Sequence, residues 1–256
     1  MGKNKLKKFR EMETIDCVFQ YPFATLREQG FPMRGRWRQE VFHNDGPIVL
    51  ELGCGKGEYT VGLARRYPGK NFIGIDIKGA RMYSGACEAR DNGINNAAFL
   101  RTNIELLDRF FEPGEVDEIW ITFPDPQMKK VRKRLTGTTF MNLYRKVLKP
   151  NGRINLKSDS PFLYTYTSLM VKLNQLPLLE DSPNLYDTNS EHAANLDPAL
   201  REIQTYYERQ WLGRGLQIKY LAFELPAEGD LQEPQDDIPL DTYRSFSRGT
   251  LEQMDL

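Results

Sequence analysis

The sequence predicts an α/β fold built on a mostly parallel, doubly wound sheet, and three observations carry that expectation. From residue 47 onward, short apolar runs alternate with longer amphipathic segments, as in a series of βαβ units. The first run, Ile48-Val49-Leu50-Glu51-Leu52, passes into a turn with glycine at every second position, Gly53-Cys54-Gly55-Lys56-Gly57. The second, Asn71-Phe72-Ile73-Gly74-Ile75-Asp76-Ile77, delivers an acidic residue near its end.

The elements follow in order. A strand is expected over residues 47–52 and a helix over about 57–67, directly after the glycine turn. A strand at 71–77, a helix at about 78–92, a strand at 97–101 and a helix at about 103–111 continue the alternation. Val116-Asp117-Glu118-Ile119-Trp120-Ile121-Thr122-Phe123 reads as the fourth strand, followed by a helix at about 138–148. Arg153-Ile154-Asn155-Leu156-Lys157 makes a fifth strand after the Pro150-Asn151-Gly152 turn, and a helix near 161–175 follows. Residues 176–201 are polar and turn-rich. Segments 203–211 and 216–225 flank Leu212-Gly213-Arg214-Gly215 and predict a C-terminal antiparallel hairpin. Residues 1–45 show little periodicity; Phe19, Tyr21, Pro22 and Phe23 anchor a lead-in whose tip is expected to be mobile. Three regions result: a basic arm and lead-in at 1–45, the α/β domain at 46–225, and an acidic, proline-containing tail at 226–256.

Open parallel sheets bind ligands outside the carboxyl ends of their strands, so the chemistry is sought there. Alternate glycines at Gly53, Gly55 and Gly57 let backbone approach a ligand closely. The spacing departs from the Gly-x-Gly-x-x-Gly of dinucleotide sites, and Glu51 would repel a pyrophosphate. An acid there suits a ligand with a cationic centre and an ammonium group, as in S-adenosylmethionine. Asp76 stands where a ribose diol needs a bidentate acceptor. The third strand runs into Asn103 and the fifth into Ser158-Asp159.

The most specific segment is Phe123-Pro124-Asp125-Pro126-Gln127-Met128-Lys129-Lys130. Two prolines hold the backbone on either side of Asp125, and Lys129-Lys130-Val131-Arg132-Lys133-Arg134 places five cations in six residues directly beyond it. A rigid acid followed by a cationic block suits a flipped-out purine whose phosphates are held by Lys and Arg.

Composition bounds the rest. Thirty-five Lys and Arg balance thirty-five Asp and Glu, but the charges are segregated. Lys3, Lys5, Lys7, Lys8 and Arg10 form a second basic cluster, while Glu224, Glu228, Asp230, Glu233, Asp236 and Asp237 gather near the C-terminus. Cys17, Cys54 and Cys87 lack C-x-x-C spacing, so neither a disulfide framework nor a zinc site is indicated, and no metal is expected. His43 and His192 are taken as structural or surface residues. With no run of about 18 apolar residues and no apolar stretch behind the N-terminal charges, no membrane association is expected, and a cytoplasmic location is. No obligate protein partner is evident.

On these motifs the chain resembles the bacterial tRNA (guanine-N7-)-methyltransferases, S-adenosylmethionine-dependent enzymes of Rossmann-like fold. The resemblance covers roughly residues 47–225. It rests on Glu51-x-Gly53-x-Gly55-x-Gly57, Asn71-Phe72-x-Gly74-Ile75-Asp76, Phe123-Pro124-Asp125-Pro126 with Lys129-Lys130, Leu148-Lys149-Pro150-x-Gly152, Ser158-Asp159, and Thr205-Tyr206-Tyr207-Glu208-Arg209. It implies methyl transfer to N7 of a guanosine in the tRNA variable loop, at conventional position 46. It also implies that Glu51, Asp76, Asn103 and Asp125 line the cofactor site with the glycine turn. Lys129, Asp159, Thr205, Tyr206, Tyr207 and Glu208 would contact tRNA. Asp125 is the candidate catalytic residue in the sense of orienting the base, since the N7 lone pair needs no general base. Three departures stand out. Asn103 replaces the family's usual Asp, Gln127-Met128 replaces its Trp-His, and the acidic tail has no counterpart in it. Two alternatives remain open: methylation of another RNA, or an RNA-binding protein that keeps the fold without turnover. A nicotinamide-dependent oxidoreductase is disfavoured by the glycine spacing and by Glu51.

Overall fold

The computed structural model describes residues 2–187 and 189–243. Its centre is one eight-stranded sheet. The strands are β1 (Val18–Gln20), β2 (Ile48–Leu52), β3 (Asn71–Asp76), β4 (Ala97–Arg101), β5 (Val116–Thr122), β6 (Leu148–Ser158), β7 (Leu178–Ser182) and β8 (Lys219–Leu225). They lie in the order β1-β4-β3-β2-β5-β6-β8-β7. Strands β1 to β6 pair in parallel, whereas β8 runs antiparallel to both β6 and β7.

Strand β2 is buried at every position, as a central parallel strand covered on both faces requires. Period-two alternation divides its side chains between two cores. Leu50 and Leu52 join Ile73, Ile75, Ile119 and Ile121 on one face. Val49 joins Phe72, Phe99 and Trp120 on the other, beneath Tyr59 and Leu63 of α3 (Glu58–Arg66) and Met82 of α4 (Gly79–Asp91). The chain leaves β2 towards β3 and β4, then crosses back to β5 and β6. The reversal between β2 and β5, where Glu51 faces Trp120 in register, is the switch point at which such sheets open a ligand crevice.

Four expectations are corrected. Residues 103–111 hold a 3-10 helix, Ile104–Arg109, rather than an α-helix. The helix after β5, α5 (Thr138–Tyr144), stops earlier than expected, and β6 begins at Leu148. The expected hairpin over 203–225 is replaced by a helix and a strand. After α7 (Glu191–Asn195) and α8 (Ala199–Glu202), α9 (Tyr206–Leu212) is helical because Thr205 Oγ1 accepts from the Glu208 amide at 3.1 Å, an N-cap. The antiparallel partners of β8 are instead β6 and β7; β7 is an edge strand with Leu178 and Leu179 exposed, within the stretch read as turn-rich. Finally, the lead-in, read as having little periodicity, carries secondary structure. It holds α1 (Gly2–Met12), β1, α2 (Phe23–Gln29) and a π-helical turn Trp37–Phe42. Trp37 is fully buried, donates from Nε1 to Phe110 O at 2.9 Å, and packs against Phe19, Phe31 and Phe111.

Over its described residues, 226–243, the acidic tail is an irregular strap. Arg145 clamps its start by donating to Pro226 O, Glu228 O and Gly229 O at 2.7, 2.9 and 2.6 Å. Further along, two carboxylates take helix N-termini. Glu233 accepts from the Thr138 amide (2.8 Å) and hydroxyl (2.7 Å) at the head of α5. Asp241 accepts from the Phe162 amide (3.0 Å) and the Ser160 hydroxyl at the head of α6 (Pro161–Leu173). Both satisfy donors that a helix start leaves unpaired and oppose the positive end of its dipole.

Candidate functional site

The glycine turn after β2 folds back on the end of β3. Gly53 N and Cys54 N both donate to Ile75 O, at 2.7 and 3.0 Å. Gly53, Gly55 and Gly57 have φ of 76°, 56° and 77°, in the left-handed region where a side chain is strained. At Gly57 packing adds a second reason: a Cβ there would lie 2.5 Å from Phe99 Cε1 and 3.2 Å from Gly85 Cα. This glycine therefore lets α3 start hard against β4 and α4. At Gly53 a Cβ would meet nothing within 4 Å and would project into open space.

Glu51 lies elsewhere than the sequence suggests. Its side chain is buried and does not line the cavity. Oε2 accepts from the Thr60 amide (2.8 Å) and hydroxyl, and Oε1 from the Thr122 hydroxyl at 2.6 Å. Burial pushes the carboxyl up to about 7, with the threonine hydrogen bonds pulling the other way. Glu51 thus ties the ends of β2 and β5 to the first turn of α3.

A cavity of about 340 Å³ opens in front of this turn. Gly53, Asp76, Asn103 and Asp125 all line it, so four of the expected residues converge from the ends of β2, β3, β4 and β5. Asp76 Oδ2 accepts from the Gly55 amide (3.0 Å) and Oδ1 from the Lys78 amide (2.7 Å). Two backbone donors hold the carboxylate in place, and each oxygen keeps acceptor capacity. Ile77, 54% exposed, offers an apolar surface in the same wall. It went unremarked in the sequence, although an exposed aliphatic residue directly after a strand-end acid is a visible signal for stacking on a flat ring.

Asp125 sits on a strained loop. Phe123 and Gln127 both have φ of 48°, each at a cost of about 1–3 kcal/mol. The strain is held by Phe123 N donating to Lys157 O (2.8 Å) and Gln127 N donating to Asp125 Oδ1 (3.0 Å). Arg134 supplies the third tie. It is buried, donates to Gln127 O (3.2 Å) and Met128 O (2.6 Å), and lies over the rings of Phe162 and Tyr166. In sequence Arg134 looks like one more cation of the block; in space it is a structural clamp. Lys133 pairs with Glu105 at 3.0 Å. That leaves Lys129, Lys130 and Arg132 as the block's exposed cations without an ion pair among the described residues.

The remaining expected substrate residues form a second group. Asp159 is wholly buried at the end of β6, and its Oδ2 accepts from the Tyr243 hydroxyl at 2.6 Å. Thr205 caps α9 (Tyr206–Leu212). Glu208 is wholly buried in an ion pair with Lys157 (Oε1 at 2.7 Å, Oε2 at 2.9 Å) and accepts from Tyr186 at 2.8 Å. Burial pushes Glu208 up and Lys157 down to about 8, against their mutual attraction. Tyr206 is exposed, with Lys56 of the glycine turn 4.2 Å from its ring and its amide donating to Glu58 at 3.0 Å. Tyr207 packs edge-on against Tyr206. The head of α9 therefore abuts the glycine turn. Among the described residues, no group of three or more His, Cys, Asp or Glu side chains is arranged to hold a metal, and no helix is long and apolar enough to cross a membrane.

Sheet order, glycine turn and strand-end acids together define a Rossmann-like methyltransferase. Residues 45–221 match a family described as putative methyltransferase. A solved structure described as an antibiotic-related methyltransferase superposes with a TM-score of 0.51 at 13% identity, covering 73% of this chain and 90% of its own, a likeness of fold alone. A protein of Bacteroides thetaiotaomicron named tRNA (guanine-N(7)-)-methyltransferase is 58% identical over 248 residues, covering 97% of this chain and 96% of its own. A Porphyromonas gingivalis protein of the same name is 60% identical over 245 residues, covering 94% and 98%. The chain belongs to the tRNA (guanine-N(7)-)-methyltransferase family.

Proposed function

We propose that the protein transfers the methyl group of S-adenosylmethionine to N7 of a guanosine in tRNA, at conventional position 46 of the variable loop. The observation that carries this reading is the convergence of Gly53, Asp76, Asn103 and Asp125 on one cavity, with exposed Lys129, Lys130 and Arg132 a few residues beyond Asp125. The residues present fit the cofactor. Open space over Gly53 admits a ligand against backbone, and Asp76 retains acceptor capacity for a ribose diol. Ile77 supplies an apolar face for adenine, and the amide of Asn103 can accept from the adenine amino group. Glu51 acts at one remove, by fixing the turn that cradles the methionine end.

When bound, the cofactor supplies an electrophilic sulfonium methyl that passes in line to a lone pair. The chain's own work is alignment and exclusion of water. Asp125, held by its strained loop, and Asp159 accept from the Watson-Crick edge of guanine, turning N7 towards the methyl group and opposing the positive charge that develops on the base. The exposed cations hold flanking phosphates as point charges. In this arrangement Thr205 and Glu208 serve by building the wall behind the base, with Tyr206 at its surface. A protein that bound RNA without turnover would have no use for Asp76 and Asn103 in a shared cavity.

The test is incubation of the purified protein with methyl-labelled S-adenosylmethionine and bulk tRNA, followed by nucleoside mapping. Label in 7-methylguanosine at position 46 is expected. Label in any other nucleoside, or none, overturns the proposal.

A further inference from the structure

Tyr243, the last described residue of the strap, lies beyond the motifs that carry the family resemblance but within the span shared with the Bacteroides thetaiotaomicron relative, so the tail does have a counterpart there. Tyr243 donates its hydroxyl to Asp159 Oδ2 at 2.6 Å, and its ring meets Trp211 edge-on at 5.5 Å. Asp159 has 0% of its surface exposed and one carboxylate oxygen taken by Tyr243, so no base reaches its carboxylate in this arrangement. What Tyr243 offers Asp159 is a flat ring carrying a hydrogen-bond donor. Guanine offers the same through the N–H groups of its Watson-Crick edge.

We infer that the C-terminal strap is a built-in occupant of the guanosine side of the site, in which Tyr243 stands in for the target base and leaves when tRNA binds. The inference rests on the assignment of Asp159 to the guanine edge. The strap's anchoring allows a local release. Glu233 and Asp241 fasten it to the heads of α5 and α6, and the Asp241 amide also meets the Met128 sulfur at 3.1 Å. Tyr243 lies two residues past Asp241, the last of these anchors among the described residues, so release of the tyrosine from Asp159 does not require Asp241 to leave α6. The Met128 contact also gives a use to one departure from the family pattern: a thioether where the family has an imidazole packs beneath the strap and the core. No new bond to the enzyme is needed for opening, since guanosine replaces the donor that Asp159 gives up.

The experiment compares full-length parent, Tyr243→Phe and Tyr243→Ala in steady-state methylation of tRNA. It adds hydrogen exchange over residues 238–243 with and without tRNA. A site whose open form is populated about one-tenth of the time loses about tenfold in apparent affinity. Both variants are therefore expected to lower KM for tRNA by several-fold, up to about tenfold, with kcat and the KM for S-adenosylmethionine unchanged. In the parent, tRNA is expected to speed exchange at residues 238–243. Tyr243→Phe keeps the ring and its packing on Trp211, so a folding defect in Tyr243→Ala does not blunt the test. An unchanged or raised KM for tRNA in Tyr243→Phe overturns the inference, as does a fall in kcat, which would make Tyr243 a group that positions Asp159 for catalysis. A parent that makes no 7-methylguanosine overturns the functional reading itself, and is recognised before any variant is compared.

Discussion

At the scale of single residues, identical chemistry is put to opposite uses. Glu51 and Asp76 are both strand-end carboxylates, yet one is sealed behind the glycine turn and the other faces the cavity. For Asp76 the expected role is direct. Asp76→Ala should weaken S-adenosylmethionine binding about tenfold or more, since each hydrogen bond to a charged group is worth roughly 1.5–3 kcal/mol, while tRNA affinity holds. Calorimetry checks this, and unchanged cofactor affinity would show that Asp76 merely ends a strand. For Glu51 the expectation is a pH effect on stability. Its folded value of about 7 lies above the ordinary 4.5, so the folded state binds the extra proton. The associated stability is fully present below about pH 4.5 and is lost as pH rises through 7. The sum over that window is about 3 kcal/mol. Urea unfolding of the parent and Glu51→Gln across pH 4.5 to 7.5 should show the parent losing ground to the variant as pH rises; a constant difference would refute it.

At the scale of elements, α9 shows how a motif that reads as substrate contact also builds the wall of a site. Thr205 and Glu208 both make contacts within the fold, the threonine as a helix cap and the glutamate as partner to Lys157. Lys157 Nζ also donates to Leu200 O and Ile203 O, at 2.5 and 3.2 Å, so this one ammonium binds α9 and the preceding turn to the end of β6. Removing the partner leaves an uncompensated buried charge. Glu208→Gln should therefore destabilise the fold by about 3–5 kcal/mol, and Lys157→Met combined with Glu208→Leu should restore part of that stability. Thermal and urea unfolding measure both. If Glu208→Gln were as stable as the parent while tRNA methylation fell, Glu208 would be a substrate contact alone.

At the scale of the whole molecule, a chain of zero formal net charge holds a polyanion by where its charges go. Two acids of the C-terminal strap, Glu233 and Asp241, turn inward to helix N-termini, while Glu228, Asp230, Asp236 and Asp237 stay exposed. Cations of the 129–134 block divide, with Arg134 and Lys133 engaged within the fold and Lys129, Lys130 and Arg132 facing outward. Replacing those three by Ala should weaken tRNA binding. It should also lower the magnitude of the log–log salt slope by up to about 0.7–0.9 for each phosphate that is no longer neutralised, with cofactor affinity unaffected. Equal slopes in variant and parent would place the RNA surface elsewhere on the molecule.

The parallel sheet, the glycine turn and the strand-end residues Asp76, Asn103 and Asp125 were legible in the sequence because each rests on local pattern. Apolar runs, glycine spacing and prolines flanking an acid act within a few residues. The cap of α9 was equally local, as Thr205 and Glu208 stand three apart, but the Leu212-Gly213-Arg214-Gly215 turn beyond it suggested a hairpin instead. What the tertiary structure alone decided depends on partners distant in the chain. Arg134 becomes a clamp only once Phe162 and Tyr166 are packed beneath it, and Glu51 is turned inward by Thr122, 71 residues away. The tail reads as acidic and free because its carboxylates find their donors 95 and 79 residues back along the chain. A helix N-terminus that needs an acceptor leaves no mark on the distant acid that supplies it, so only the folded chain brings the strap to Asp159.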